Sequence, residues 1–145
     1  MRKKRLTALA MAAAVLAGTS QVMPAVPASA AAKFDYAKAL QMSLYFYECQ
    51  QAGKLPEWNR VEWRGDAGLE DGLLGGWFDA GDHVKFNLPM SYSACMLAWG
   101  LYEYGDGVEK CGELTNYVNN LTYVLDYFVR CDLGDSVIYQ VGDGQ

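Results

Sequence analysis

Two aspartates three residues apart, Asp79 and Asp82, stand in the run Gly75-Gly76-Trp77-Phe78-Asp79-Ala80-Gly81-Asp82-His83-Val84-Lys85-Phe86-Asn87-Leu88-Pro89-Met90. Carboxylates are costly where water is scarce, so two of them among Trp77, Phe78 and Phe86 either decorate a surface turn or form a site that needs negative charge. Such a pair can hold and deprotonate a water for hydrolysis, or bind a hard cation such as calcium, and it is also a common turn pattern. His83 is the only histidine, and an imidazole can accept or donate a proton. It reads as an acid/base candidate or, more simply, as a residue that orients and packs the loop.

The elements that must position these groups are helical. Gly75, Gly76 and Gly81 allow the positive φ of a tight reversal. Asn87 or Ser91 can cap a following helix, with Pro89 tolerated in its first turn. A helix over about 34 to 51 is predicted from Ala37, Leu40, Leu44 and Tyr47 on one face, stopped by Gly53 and Pro56. Tyr45, Phe46 and Tyr47 point around it in different directions, which favours core packing over a binding stripe. The loop over 55 to 74 carries Trp58 and Trp63, and an Arg64–Asp66 ion pair is expected to pin it. A second helix, 89 to 104, is apolar on all sides and so requires neighbours on more than one. A third, 113 to 130, shows its rhythm in Leu114, Val118, Leu121, Leu125 and Phe128, and a short extended piece follows over 136 to 141. The fold class read from this pattern is all-α with three long helices.

Further segments sharpen the reading: Ala39-Leu40-Gln41-Met42-Ser43-Leu44-Tyr45-Phe46-Tyr47-Glu48, Gly53-Lys54-Leu55-Pro56, Trp63-Arg64-Gly65-Asp66, Met96-Leu97-Ala98-Trp99 and Tyr139-Gln140-Val141-Gly142-Asp143-Gly144. Together with the aspartate run, and over nearly everything after residue 33, they closely resemble glycoside hydrolase family nine, mostly endo-acting cellulases. The resemblance implies a toroid of six helix pairs with a cleft where the loops gather. It implies an inverting endo-β-1,4-glucanase acting on cellulose or a related β-glucan. Asp82 matches the general base and Asp79 the partner that holds the attacking water. Trp77, Phe78, His83, Tyr139 and Asp143 become candidates for the cleft, since aromatic faces stack on the apolar faces of sugars. The family's proton donor, a distal glutamate, has no counterpart here, so residues 31 to 145 read as the N-terminal part of a truncated catalytic domain, inactive alone.

This chain departs from the family between Gly72 and Gly75, where only Leu73 and Leu74 replace a longer segment. The hydrolysis requires no cofactor. Structural calcium occurs in some relatives, but its ligands have no counterpart that can be placed on this segment, and no metal ligand is assigned. The rival reading is a non-catalytic carbohydrate-binding protein on the same fold, and a third is a loop stabilised by calcium.

The first thirty residues differ from the rest. Arg2, Lys3, Lys4 and Arg5 precede an apolar run, and Ala28-Ser29-Ala30 supplies a small-residue cleavage site, the pattern of a secretory signal peptide. Export to the extracellular space is expected, with no membrane association after cleavage. Cleavage after Ala30 would leave eight basic against 17 acidic residues, a balance that argues against nucleic acid as a partner. Cys49, Cys95, Cys111 and Cys131 match no zinc spacing, and buried free thiols are as consistent with them as bridges.

Overall fold

The computed structural model describes residues 34–143, so the expected signal peptide and Gly144 lie outside the described residues. Three long helices account for most of this segment: α1 Tyr36–Cys49, α2 Asn87–Lys110 and α3 Leu114–Cys131. Two short strands, β1 Lys85–Phe86 and β2 Gln140–Val141, pair antiparallel, with Lys85 opposite Val141 and Phe86 opposite Gln140. Among the described residues no helix is long and apolar enough to cross a membrane.

Helix α1 begins where Asp35 Oδ1 accepts the Lys38 N–H at 2.9 Å, a side-chain cap worth about 1 kcal/mol. It ends at Cys49, ahead of Gly53, because the next residues turn away to bond the 76–78 segment. Its buried residues are Leu44 and Glu48, while Ala37, expected on the packed face, is exposed. The aromatic triplet divides rather than packing as a unit. Tyr47 lies against Trp77 with ring centres 4.6 Å apart, Tyr45 carries the Arg60 guanidinium 4.2 Å from its centre, and Phe46 is 57% exposed.

Helix α2 starts at Asn87, but neither proposed cap serves: no side chain caps it. Asn87 is buried instead, its Nδ2 donating to Ile138 O at 2.5 Å and its Oδ1 accepting from Tyr127 Oη at 3.0 Å. Ser91 Oγ turns back to Leu88 O. The expected end at Tyr104 is a kink (φ −125°, ψ 20°), beyond which buried Val108 secures a further stretch to Lys110.

Helix α3 packs on both α1 and α2. Its buried stripe is Tyr117, Asn120, Leu121, Val124, Tyr127 and Cys131, whereas Val118 and Leu125 of the predicted stripe are 43% and 50% exposed. The predicted rhythm was displaced because Asn120, polar and fully enclosed, belongs to the inner face. One apolar cluster joins Trp77, Met90, Ala94, Val124, Tyr127 and Cys131, and another joins Leu44, Val108, Tyr117 and Leu121.

A buried charge network crosses between these clusters. Arg60 forks onto Glu48 through Nε and an Nη2 contact, and reaches Glu113 Oε2 through Nη1 at 3.1 Å. Glu113 also accepts from Gln41 at 2.8 Å and Asn116 at 2.9 Å. Burial works to raise the Glu113 pKa, but the donors Asn116, Gln41 and Arg60 outweigh it and hold the carboxyl below the ordinary glutamate value. A buried carboxylate is tolerated only with such partners. All four cysteines are free, with Cys131 buried and Cys95 exposed.

Candidate active site

The turn that carries Asp79 and Asp82 is tied to the end of α1 by backbone hydrogen bonds. Phe78 N donates to Gln50 O at 2.8 Å and Ala52 N to Gly76 O at 3.0 Å, so residues 50–52 and 76–78 run as a short antiparallel bridge. Gly76 makes this approach possible: its φ is 75°, and a Cβ there would stand 2.9 Å from the Tyr127 ring. Trp77 and Phe78 are buried at 3% and 4% exposure and lie beneath the loop. Trp77 supports the turn from inside the core, while Phe78 also forms part of the cleft wall.

Beyond Phe78 the chain closes a turn. Asp79 N donates to Val84 O at 2.9 Å, His83 N to Ala80 O at 3.3 Å, and Val84 N to Asp82 Oδ1 at 3.4 Å. Gly75 and Gly76 have the positive φ expected of them, but Gly81 does not; the left-handed residue of the turn is His83, at φ 59°. The His83 ring rests on Phe78 with centres 4.9 Å apart. Asp79, Asp82 and His83 are all exposed.

This turn borders an open cleft of about 400 Å³, a volume suited to a small ligand or one unit of a polymer. Asp79, His83, Phe46, Trp63, Arg64 and Gln50 line it, as does Gly81, so Asp82 lies between two lining residues. Trp63 is 77% exposed, its indole available at the cleft. Arg64 is not paired with Asp66 as expected: its Nη2 donates to Gln51 O at 2.6 Å, and Asp66 Oδ1 accepts Leu55 N at 2.9 Å. The Arg64 bond holds the loop to Gln51, just past the end of α1, while the Asp66–Leu55 bond closes the loop on itself.

The β1–β2 pair brings the 139–143 segment beside the turn. Asn87 N donates to Tyr139 O at 2.9 Å, and a Cβ at Gly142 would meet His83 O at 3.5 Å. Tyr139 and Asp143 are exposed there and do not line the cleft beside Asp79. Phe46, Gln50, Trp63 and Arg64 were missed as cleft residues. The signal for Phe46 was present, since three consecutive aromatics on a helix cannot all face inward; Gln50 carried none. Among the described residues, no three His, Cys, Asp or Glu side chains gather as a metal-binding group.

Comparison with known proteins agrees with this geometry. Residues 36–145 match Glycosyl hydrolase family 9. The chain is 50% identical over 118 residues to Endoglucanase 4 of Bacillus sp. (strain KSM-522), covering 77% of this chain and 19% of that protein. Endoglucanase B of Cellulomonas fimi is 47% identical over 149 residues, covering 98% of this chain and 14% of the relative. The structure superposes on endoglucanase CelQ from Clostridium thermocellum complexed with cellotriose with a TM-score of 0.74 and 67% identity, over 77% of this chain and 18% of that one. The chain therefore spans less than a fifth of the length of these relatives, and its three helices correspond to a part of the family's ring of helix pairs. The chain belongs to glycosyl hydrolase family 9.

Proposed function

We propose that this segment forms the general-base side of the cleft in an exported endo-β-1,4-glucanase that inverts configuration at the bond it cuts. The observation that carries the reading is the closed turn 79–84, which presents Asp79 and His83 to an open cleft walled by Phe46, Trp63 and Phe78, with Asp82 between lining residues. Asp82 takes a proton from water as its oxygen attacks the anomeric carbon. Asp79 accepts the second hydrogen of that water and fixes its direction. An acid on the opposite side of the sugar must protonate the leaving oxygen, and this role falls to a glutamate in the remainder of the enzyme.

The exposed faces of Phe46 and Trp63 offer stacking surfaces to glucose units, and Tyr139 and Asp143 form an outer rim. The structures of one relative, CelQ, complexed with cellotriose and with cellotetraose support a β-1,4-glucan as the ligand. Two-carboxylate hydrolysis calls for no cofactor. The basic, then apolar, first thirty residues direct export, which suits a polymeric substrate found outside the cell.

The test is the stereochemistry of the first products. Nuclear magnetic resonance of a fresh digest of a soluble β-1,4-glucan by the complete protein is expected to show the α-anomer. The β-anomer would overturn the base role of Asp82, and binding of the glucan without any hydrolysis would make the protein a carbohydrate-binding module.

A further inference from the structure

General-base hydrolysis uses no cation on the water side of the sugar, yet a lysine sits directly beneath the catalytic turn. Lys85 follows Asp82 by three residues and is fully buried. Its Nζ donates to Leu73 O at 2.5 Å, pairs with Asp71 Oδ2 at 2.8 Å, and stands 5.5 Å from the centre of the Tyr127 ring. An enclosed ammonium is costly without such partners, so its position is tightly specified.

The backbone connects this anchor to the carboxylates. Val84, covalently next to Lys85, accepts the Asp79 N–H and donates its own N–H to Asp82 Oδ1. Fixing Lys85 therefore holds in place its neighbour Val84, whose carbonyl and N–H both aspartates bond. The other end of the anchor is equally confined: a Cβ on Gly68 would lie 2.9 Å from Asp71 Oδ2 and 3.3 Å from the Phe78 ring. Asp71, Gly68 and Phe78 thus form one packed stack under the cleft, and the short Leu73-Leu74 link supplies the carbonyl that Lys85 holds.

We propose that Lys85 is a positioning residue whose clamp on Asp71 and Leu73 O sets the placement of Asp79 and Asp82 against the substrate. The clamp acts on the rate of the chemical step and not on sugar affinity. This rests on the hydrolytic reading above.

The experiment uses the complete enzyme with Lys85→Met and with Asp71→Asn, the second preserving shape at a half-buried position should the first fail to fold. Asp82→Asn is the control. In folded variants kcat on a soluble cello-oligosaccharide is expected to fall about tenfold to a hundredfold, the range for a small misplacement of a catalytic group, while KM and binding stay within about threefold. A kcat within about twofold of the wild type in either folded variant would overturn the proposal, as would a rise in KM without loss of kcat. Full activity of Asp82→Asn would instead overturn the hydrolytic reading itself, whatever Lys85 does.

Discussion

The residue that most clearly separates backbone from side-chain chemistry is His83. It sits two residues after Gly81 in a turn that needs one left-handed residue, and it takes that conformation itself, at φ 59°. Histidine is among the residues that tolerate this region, whereas a β-branched side chain there is strained by about 1–3 kcal/mol. Chemical unfolding of His83→Gly and His83→Val variants is expected to show the glycine form more stable by about 1 kcal/mol or more, at the lower end of that strain range. Equal stability of the two would mean that the turn does not hold its observed shape. The sequence placed Asp79 and Asp82 on a glycine-punctuated turn correctly, but glycine spacing alone assigned the left-handed position to Gly81. Buried Lys85 was not legible either, because its two partners lie on a loop 12 and 14 residues earlier, and no local pattern marks such a contact.

Among the elements, apolar periodicity placed α1 and α3 within about two residues and found the inner stripe of α2, but it misjudged part of the inner faces of α1 and α3. The reason is the polar network Glu48–Arg60–Glu113 with Asn120, which occupies positions that a hydrophobic count reads as solvent-facing. This network joins α1, the loop after it and the start of α3, and its charge state governs their docking. Glu113 has a pKa below the ordinary value, so it binds its proton less readily folded than unfolded. Its stabilisation is therefore present above the unfolded glutamate pKa of about 4.3 and is lost as pH falls through the lower folded value. Thermal unfolding of the wild type and Glu113→Gln should differ most above about pH 5 and converge as the solution is acidified below the unfolded pKa. A gap that widens with acid would contradict the network as drawn. Helix α2 illustrates a different limit: its end was expected at Tyr104, but the structure bends there and continues to Lys110, because Val108 finds a place in the core.

The whole described segment carries an unfinished surface. Along α2, Tyr92, Met96, Trp99 and Tyr102 are 68%, 49%, 61% and 86% exposed, on the side away from Met90 and Ala94. A helix apolar on all sides was expected to need partners on more than one, and here one of them is filled by α3 and the other is open. That expectation was legible because it depends only on composition around the helix; the cleft was less so, because Phe46, Trp63 and His83 meet only through tertiary folding. The chemistry proposed above is likewise one-sided: it assigns to these residues the base side of the cleft alone. In the mechanism proposed above, Asp82 draws the proton from the attacking water. Its most direct test is the hydrolysis rate and glucan affinity of the complete enzyme carrying Asp82→Asn. General-base catalysis contributes about 10²–10⁴-fold, so turnover should fall by that factor with affinity nearly unchanged, whereas turnover within about tenfold of the wild type would contradict the assignment.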